Sequence, residues 1–381
     1  MKKNSPFKDL KWQFLGPTNV SGRCTDVAVV TPKGKNYTIY VATATGGVWK
    51  TENEGTTWVP IFDQELSTSI GDIAIAPSNP DIIWVGTGEA NIFRSSHAGC
   101  GIYKSTDGGK TWQHMGLTDT NTIARIVLHP QNPDIVYVAA SGHEWTFNSE
   151  RGVYKTTDGG KTWTKILYVN EQTGAVDLAM DPTHPETLYA VTWQRVRKKW
   201  SDPRNEPQYR RSGIWKSVDG GQTWQQINNG LPEPRFRGRI GIDICLSKPN
   251  VLYALVDNYE VSRELTEEEK ADVYVRGLGA HIKGATVYRS DDGGENWRLV
   301  APTTKEMKAY LERHSGTYGW VFGQIRVDPN NEDRVFIMGV PMSVSEDGGK
   351  TFRRVPNIYH GDHHGLWIDP DNSNYIVNVN D

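Results

Sequence analysis

Gly101-Ile-Tyr-Lys-Ser-Thr-Asp-Gly-Gly-Lys-Thr-Trp112 is the stretch that decides the fold, because the chain of 381 residues carries it in six copies. The other five copies are Gly47-Val-Trp-Lys-Thr-Glu-Asn-Glu-Gly-Thr-Thr-Trp58, Gly152-Val-Tyr-Lys-Thr-Thr-Asp-Gly-Gly-Lys-Thr-Trp163, Gly213-Ile-Trp-Lys-Ser-Val-Asp-Gly-Gly-Gln-Thr-Trp224, Thr286-Val-Tyr-Arg-Ser-Asp-Asp-Gly-Gly-Glu-Asn-Trp297 and Met342-Ser-Val-Ser-Glu-Asp-Gly-Gly-Lys-Thr-Phe352. Such repetition predicts an architecture in which neighbouring repeats pack against one another.

Each copy predicts a strand, a tight turn and a second strand. The Asp of the turn accepts hydrogen bonds from nearby backbone N–H groups, and the glycines adopt backbone angles that side chains disfavour. We therefore assign a structural role to Asp107, Asp158, Asp219, Asp292 and Asp347, with Asn53 in the same place in the first copy. Because an indole buries a large apolar area, we expect the closing tryptophans to be buried between blades. These are Trp58, Trp112, Trp163, Trp224 and Trp297.

A second motif alternates with the first and consists of two apolar strands joined by a turn that contains proline. Asp72-Ile-Ala-Ile-Ala-Pro-Ser-Asn-Pro-Asp-Ile-Ile-Trp-Val-Gly86 is the clearest example. Continuous apolar strands are buried on both faces, as the inner strands of propeller blades are. Counterparts contain Pro32, Pro130, Pro182, Pro249, Pro329 and Pro370. The sequence therefore predicts an all-β fold over residues 1–381, a single seven-bladed β-propeller of four-stranded antiparallel blades.

Three segments interrupt the repeats and are predicted to be surface insertions: residues 193–212, 257–285 and 301–317. The first combines basic and aromatic residues, and we interpret it as a solvated loop or, alternatively, as a contact surface for an acidic glycan or partner. Two short helices are predicted from capping boxes, over 266–276 and 303–313. The boxes pair Thr266 with Glu269 and Thr303 with Glu306.

The seventh inner hairpin ends close to Asp381, and no Asp box follows it in this sequence. Lys11-Trp-Gln-Phe-Leu-Gly-Pro17 aligns with Thr111-Trp-Gln-His-Met-Gly-Leu117, an outer strand that follows an Asp box. We therefore expect residues 11–17 to supply the outermost strand of blade seven and to close the ring. The third strand of that blade comes either from further residues of a longer protein or is missing from a three-stranded closure.

Composition limits the classes of partner. A net charge of −3 gives no global attraction to nucleic acid, and no stretch approaches the roughly 20 apolar residues of a membrane span. No signal peptide opens the chain as it stands, which leaves two alternatives: an extracytoplasmic protein whose signal is absent from this sequence, or a cytoplasmic protein. Three cysteines are too few for a disulfide framework, and a pairing of Cys24 with Cys100 stays open. No cofactor is expected.

The repeats resemble the Asp-box (BNR-repeat) superfamily, which includes sialidases, two-propeller xyloglucanases, sortilin-type receptors and a photosystem II assembly factor. Similarity to bacterial "glycosyl hydrolase, BNR repeat" proteins is carried by Gly16-Pro-Thr-Asn-Val-Ser-Gly-Arg23, Gly86-Thr-Gly-Glu-Ala-Asn91 and His360-Gly-Asp-His-His-Gly-Leu-Trp-Ile-Asp-Pro370. The resemblance implies a propeller that is often secreted. The Arg-Ile-Pro signature of sialidases does not occur in the sequence, and xyloglucanase sites take acidic residues from two propellers. Fold is thus implied more strongly than activity.

Propeller geometry places the unusual loop residues on the face opposite the Asp boxes, where loops on a rigid scaffold commonly bind ligands. The predicted ligand-binding residues are Arg23, Asn91, Arg94, His143, Trp145, Arg151, Trp320, His360 and His363. Carboxylates that are candidates for acid–base catalysis are Glu89, Glu144 and Asp362.

Histidines cluster in residues 360–364, but adjacent side chains of an extended chain point in opposite directions. We therefore interpret them as hydrogen-bonding residues at the channel mouth and predict no metal site. The leading functional hypothesis is a non-catalytic recognition or assembly propeller that binds a peptide or glycan, as part of a larger secreted or surface protein. The alternatives are a glycoside hydrolase, with or without a second propeller, and a purely structural module.

Overall fold

The computed structural model describes residues 22–30, 36–91, 96–196, 208–271, 280–300, 302, 304–312, 314, 319, 321–356 and 360–381. Nearly all of its regular structure is β-strand, arranged in antiparallel sheets. Within these residues, no helix has the length and apolar character needed to cross a membrane.

Six sheets have four strands each, hydrogen-bonded in sequence order, and are called blades I to VI. Blade I contains β1 (Cys24–Val30), β2 (Thr38–Thr43), β3 (Val48–Thr51) and β4 (Val59–Pro60); blade II contains β5 (Ile70–Ala76), β6 (Asn79–Thr87), β7 (Ile102–Ser105) and β8 (Gln113–His114); blade III contains β9 (Ile123–Leu128), β10 (Val136–Ala140), β11 (Gly152–Thr156) and β12 (Thr164–Leu167). Blade IV contains β13 (Thr173–Met180), β14 (Leu188–Gln194), β15 (Gly213–Ser217) and β16 (Gln225–Gln226); blade V contains β17 (Arg237–Ile244), β18 (Leu252–Glu264), β19 (Ala280–Ser290) and β20 (Arg298–Leu299); blade VI contains β21 (Ile325–Asp328), β22 (Asn331–Met338), β23 (Met342–Ser345) and β24 (Arg353–Arg354).

Among the described residues, the seventh sheet, called sheet VII, consists of β25 (His363–Ile368) and β26 (Ile376–Asn380). The prediction of seven four-stranded blades is therefore wrong in number, since the described residues form six. Sheet VII packs against β1 of blade I and β22 of blade VI, between the first and last blades. Residues 11–17, predicted to supply an outer strand here, lie outside the described residues.

The Asp-box turns have the hydrogen bonds that their sequence predicts. Asp107 accepts the hydroxyl of Ser105 at 2.8 Å and the backbone N–H and hydroxyl of Thr111 at 2.9 and 2.6 Å. These hydrogen bonds, that of the Thr111 hydroxyl first, lower the pKa of Asp107 to about 2. In blade I, the side-chain oxygen of Asn53 accepts the equivalent hydrogen bond from the N–H of Thr57, at 2.9 Å. The pattern recurs at Asp158, Asp219, Asp292 and Asp347.

In the part of the chain that the structure describes, the hydrophobic core forms seven clusters, and each lies between two neighbouring sheets. Between blades I and II, for example, Tyr40 and Phe62 pack with Ile83 and Tyr103. The smallest cluster joins sheet VII to blade I, and its buried members are Val27, Val29, Ile39 and Val379. Because each sheet buries its faces only against its neighbours, the stability of a blade depends on the blades beside it.

The closing tryptophans lie between blades, but their burial differs. Trp297 is 4% exposed, whereas Trp58 of blade I is 37% exposed, which contradicts its predicted burial. Sheet VII, which neighbours blade I, has no third or fourth strand among the described residues. Three indole N–H groups donate at 2.7 Å to a carbonyl of the preceding blade: Trp112 to Ile61, Trp163 to Met115 and Trp297 to Ile227.

In blades I, II and III, the lysine of the repeat makes a second contact with the next blade, which was not predicted from the sequence. The ammonium of Lys155 lies 5.1 Å from the ring centre of Tyr137 and donates to the carbonyl of Gly220 in the next blade at 2.8 Å. Tyr137 donates its hydroxyl to the same carbonyl at 3.3 Å. Lys50 and Lys104 bind the next blade in the same way. The recurrence of lysine after the aromatic residue in the repeat was the available signal.

Helices occur in two of the predicted insertions. Helix α1 (Glu267–Ala271) begins with the predicted capping box, in which Thr266 and Glu269 exchange hydrogen bonds at 2.9 and 3.2 Å. Helix α2 (Lys305–Glu312) begins at a hydrogen bond from the Met307 N–H to Thr304, while Thr303 lies outside the described residues. The three cysteines are free, so Cys24 and Cys100 do not pair.

Candidate functional site

The antiparallel order of the blades places the connections between second and third strands on the face opposite the Asp boxes, called here the loop face. The connections 88–101 of blade II and 141–151 of blade III border a cleft of about 260 Å³, called the II–III cleft. Its lining residues are Glu89, Ser96, His97, Ala98, Asn121, Thr122, His143, Glu144, Trp145 and Thr146. The cleft therefore brings together four of the predicted site residues, Glu89, His143, Glu144 and Trp145.

Glu89 is tied to another predicted site residue. Arg23 of blade I donates two hydrogen bonds to its carboxylate, at 2.7 and 2.8 Å, and the Glu89 side chain is buried. Burial alone would lower the pKa of Arg23, but Glu89 outweighs it, and the pKa is raised. A bidentate Arg–carboxylate pair fixes geometry as well as charge. The pair therefore links blades I and II beneath the cleft, and replacing Glu89 is expected to lower stability as well as alter the cleft.

The connection of blade III supplies the exposed part of the cleft. Trp145 is 46% exposed and Glu144 is partly buried. The His143 ring lies 3.2 Å, Nε2 to oxygen, from the carbonyl of Asp119. An indole on a polar-lined surface can stack on a sugar ring, an aromatic side chain or a cation. This side of the cleft is thus suited to recognition by stacking.

Arg151 holds this connection in place from below. The side chain is fully buried, and its guanidinium donates to the carbonyls of Gln172, Arg195 and Thr146 at 3.3, 3.2 and 3.2 Å, and to that of His143. Burial lowers the pKa of Arg151 to about 10. The structure therefore places this residue inside the protein, where it supports the loop, and not on the surface where ligand contact was predicted.

Asn91 also lies inside the ring. Its side-chain oxygen accepts a hydrogen bond from Arg239 at 2.8 Å, and Arg239 donates to the carbonyl of Val321 at 2.7 Å. Burial lowers the pKa of Arg239 to about 10. Asn91 and Arg239 border a central cavity of about 10 Å³, no larger than one water molecule. Asn91 is thus an interior residue of blade II that is bound to Arg239 of blade V.

Arg125 is a structural centre that the sequence analysis missed. Its guanidinium lies 2.9 Å from Asp72, 3.0 Å from Asp177 and 4.0 Å from Asp26, which come from three other inner strands. Burial raises the pKa of Asp72, and the neighbouring carboxylate of Asp26 raises it further. The positive charge of Arg125 acts in the opposite direction but does not cancel these effects. The arginine replaces the acidic residue found at the same place in neighbouring repeats, and this difference was the signal in the sequence.

The histidines of residues 360–364 do not line the II–III cleft and have separate partners. His363 lies 2.6 Å from the side chain of Asn378, and His364 lies 2.8 Å from Asp381. His360 is exposed, and Asp362 adopts a φ of 57°. In the part of the chain that the structure describes, no three His, Cys, Asp or Glu side chains form a metal-binding group. The predicted residues Arg94 and Trp320 lie outside the described ranges.

Comparison with known proteins adds two family matches. Residues 100–270 match the family model described as "Sortilin, neurotensin receptor 3", and residues 288–299 match that of the BNR/Asp-box repeat. Xyloglucanase Xgh74A of Acetivibrio thermocellus is 23% identical over a gapped alignment 377 residues long, in which 78% of this chain and 43% of the relative are covered. The chain therefore spans less than half the length of that relative.

Two solved structures share the fold. An ancestral GH74 enzyme has a TM-score of 0.63 at 18% identity, with 94% of this chain and 43% of the enzyme covered. YCF48 bound to D1 peptide has a TM-score of 0.55 at 14% identity, with 94% and 90% covered. At these identities the structures show the fold alone. Together, the six Asp-box turns and the sequence matches support a BNR-type (Asp-box) propeller family related to glycosyl hydrolases.

Proposed function

We propose that this propeller recognises a peptide or glycan in the II–III cleft without chemical turnover. One observation carries the proposal: Glu89, a candidate acid that lines the cleft, has both carboxylate oxygens bound by Arg23. Most glycoside hydrolases need two carboxylates that act on the same bond. A carboxylate committed to a buried ion pair supports the wall of the cleft instead of acting on a substrate.

Rigidity of the wall favours recognition. Arg151 binds carbonyls of Thr146 and of the two neighbouring segments, so the connection that carries Trp145 is fixed before a ligand arrives. A fixed loop loses little conformational entropy on binding, and the binding free energy is therefore more favourable.

One sequence relative and one structurally similar protein support the two proposed ligand classes, glycan and peptide. One is a xyloglucanase by name and another is a propeller bound to a peptide. Both ligand classes can use an exposed indole, a sugar by stacking and a peptide through an aromatic or cationic side chain.

The test is a glycan array and a peptide library screened with the purified chain, followed by titration of any ligand found. Trp145→Ala should weaken binding at least about tenfold, since interface tryptophans commonly contribute more than 1.4 kcal/mol. Phe147→Ala is the matched control, because Phe147 is exposed on the same connection but does not line the cleft. Equal effects of the two changes, or none from Trp145→Ala, would contradict the assignment of the cleft.

A glycoside hydrolase remains the second candidate, because xyloglucanases match 78% of the chain. Under this alternative Glu144 acts from the cleft, and a further propeller would complete the site. Incubation with xyloglucan and a panel of aryl glycosides tests it. Product formation that Glu144→Gln abolishes, with folding unchanged, would favour the hydrolase and contradict pure recognition.

We further infer that sheet VII is the inner half of a seventh blade, since it packs between blades I and VI.

We also propose that the protein is extracytoplasmic and that this chain is part of a larger protein. Relatives named for degrading a polysaccharide, and longer than this chain, support both statements. An immunoblot of fractionated cells tests them together. A cytoplasmic band with the mass of 381 residues alone would contradict both.

A further inference from the structure

A groove on blade V, called the β19–α2 groove, is separate from the II–III cleft. Its volume is about 320 Å³, and residues of strand β19 and helix α2 line it. Both elements include residues of the predicted insertions 257–285 and 301–317, to which the proposed function gives no role. The volume lies within the range of ligand-binding pockets.

The floor of this groove is apolar. Ala285 and Val287 of β19 line it together with Val300 and Leu311, and all four side chains belong to the core cluster shared by blades V and VI. At the margin of the groove, Val261 is 51% exposed. An occupant that covers this surface removes apolar area from water, which favours binding.

The backbone of β19 also faces the groove. The N–H of Val300 donates to the carbonyl of Val287 at 2.8 Å, which places this carbonyl on the side of β20. Because backbone groups alternate in direction along a strand, the N–H and C=O groups of Ala285 and Lys283 point to the same side. Both residues line the groove, whereas β20 pairs with Tyr288 and Arg289 farther along β19. The groove thus contains a strand edge.

Lysines border the apolar floor on both walls. Lys283 comes from the strand and Lys308 from the helix, and they are the charged residues of the groove lining. Glu260 pairs with Lys283 and balances part of its charge, whereas Lys308 is exposed. The positive charge favours an anionic occupant.

We propose that the β19–α2 groove binds an extended, acidic segment of a partner protein, which adds to the edge of β19 as a further strand. Alternate side chains of such a strand share one face, so apolar residues of the segment lie on Ala285 and Val287 while an acidic residue reaches Lys308. The exposed margin favours a peptide over a fatty acid, because a groove open to solvent leaves an alkyl chain partly in water. The inference is independent of the proposed ligand in the II–III cleft.

A peptide array tests the proposal with the purified full chain. The array carries short peptides in which apolar residues alternate with acidic, basic or uncharged polar residues, and the tightest binder is titrated by fluorescence anisotropy. Acidic peptides should bind most tightly, and their Kd should rise with salt, since exposed charges are screened. A preference for basic or uncharged peptides, no binding, or tighter binding of oleate than of any peptide would overturn the proposal.

Charge reversal at exposed positions locates the bound peptide. Lys308→Glu should raise its Kd at least about threefold, because an attraction becomes a repulsion. Lys305→Glu is the matched control, since Lys305 is exposed on the same helix but does not line the groove. Trp145→Ala, which alters the II–III cleft, should leave the Kd unchanged. Equal effects of the two lysine changes, or loss of binding in Trp145→Ala, would show that the peptide binds elsewhere.

Amide hydrogen exchange, measured residue by residue, tests the strand geometry. With the peptide at ten times its Kd, exchange at Lys283 and Ala285 should slow about tenfold. Gly284 is the internal control, because it pairs with Asn258 of β18 and should change less. Binding without protection of the first two amides would contradict strand addition. A dimer of the chain alone that Lys308→Glu dissociates would assign the groove to a second copy and overturn the proposal.

Discussion

Lowering the pH from 7 to 5 should destabilise this propeller through His314. The imidazole is 1% exposed, 3.4 Å from the hydroxyl of Ser343, and close to Tyr310 and His363. Burial lowers the pKa of His314 to about 4 from the value of 6.5 expected in an unfolded chain. The folded protein therefore holds this side chain neutral where the unfolded chain protonates it.

The sign and size of the effect follow from these two pKa values. Below pH 6.5 the unfolded state takes up a proton that the folded state refuses until about pH 4, so stability falls as the pH drops through this window. Above pH 6.5 the contribution is fully present. The loss from this single residue is about 2 kcal/mol between pH 7 and pH 5, and about 3 kcal/mol once both states are protonated.

Urea denaturation of the wild type and of His314→Gln at pH 7 and pH 5 measures this contribution. The variant should be less stable at pH 7 but lose about 2 kcal/mol less than the wild type between the two pH values. His184→Gln is the matched control, because that imidazole is largely exposed beside Asp181. If His314→Gln keeps the full pH dependence of the wild type, another group causes it and the reasoning about burial is wrong.

Three further predictions concern the turns, the seams and the loop. Trp297→Ala should cost about 3–5 kcal/mol in denaturant melts, since the indole is buried and bonded to Ile227, and a loss below about 1 kcal/mol would contradict the seam. Asp107→Asn should lower Tm much less than Asp107→Ala, because Asn53 makes the equivalent turn bonds in blade I; equal losses would contradict this. Arg151→Met should lower both Tm and the affinity of the II–III cleft, and a change in affinity with an unchanged Tm would show that Arg151 contacts the ligand directly.

The fold could largely be predicted because its decisive interactions are local. Asp107 and Thr111 lie four residues apart, and such a turn forms wherever the residues occur in that order. The number of strands in sheet VII could not be predicted in this way, because pairing between segments that are distant in sequence leaves no local pattern. The burial of Trp58 was predicted wrongly for the same reason.

Only part of the candidate site could be predicted. The loops that carry Glu89, His143 and Trp145 were found because unusual polar and aromatic residues interrupt the repeats, and the structure brings them to one cleft. The sequence pattern does not show whether the side chain of a loop arginine points into the protein or towards the surface. Arg151 and Arg23 look alike as loop residues in sequence, yet one binds backbone carbonyls in the interior and the other binds a carboxylate.

The seam between sheet VII and blade I has a consequence for how the molecule unfolds. In a closed ring, every blade is restrained from two sides, and no blade can leave while both of its neighbours hold it. Separation at one seam turns the ring into an open row, in which the end blades have lost half of their support. Amide hydrogen exchange should therefore be fastest in β1, β2 and β26 and slowest in blades III and IV, on the far side of the ring. Among the described residues this seam has the smallest core, and we therefore expect its opening to limit the kinetic lifetime of the propeller.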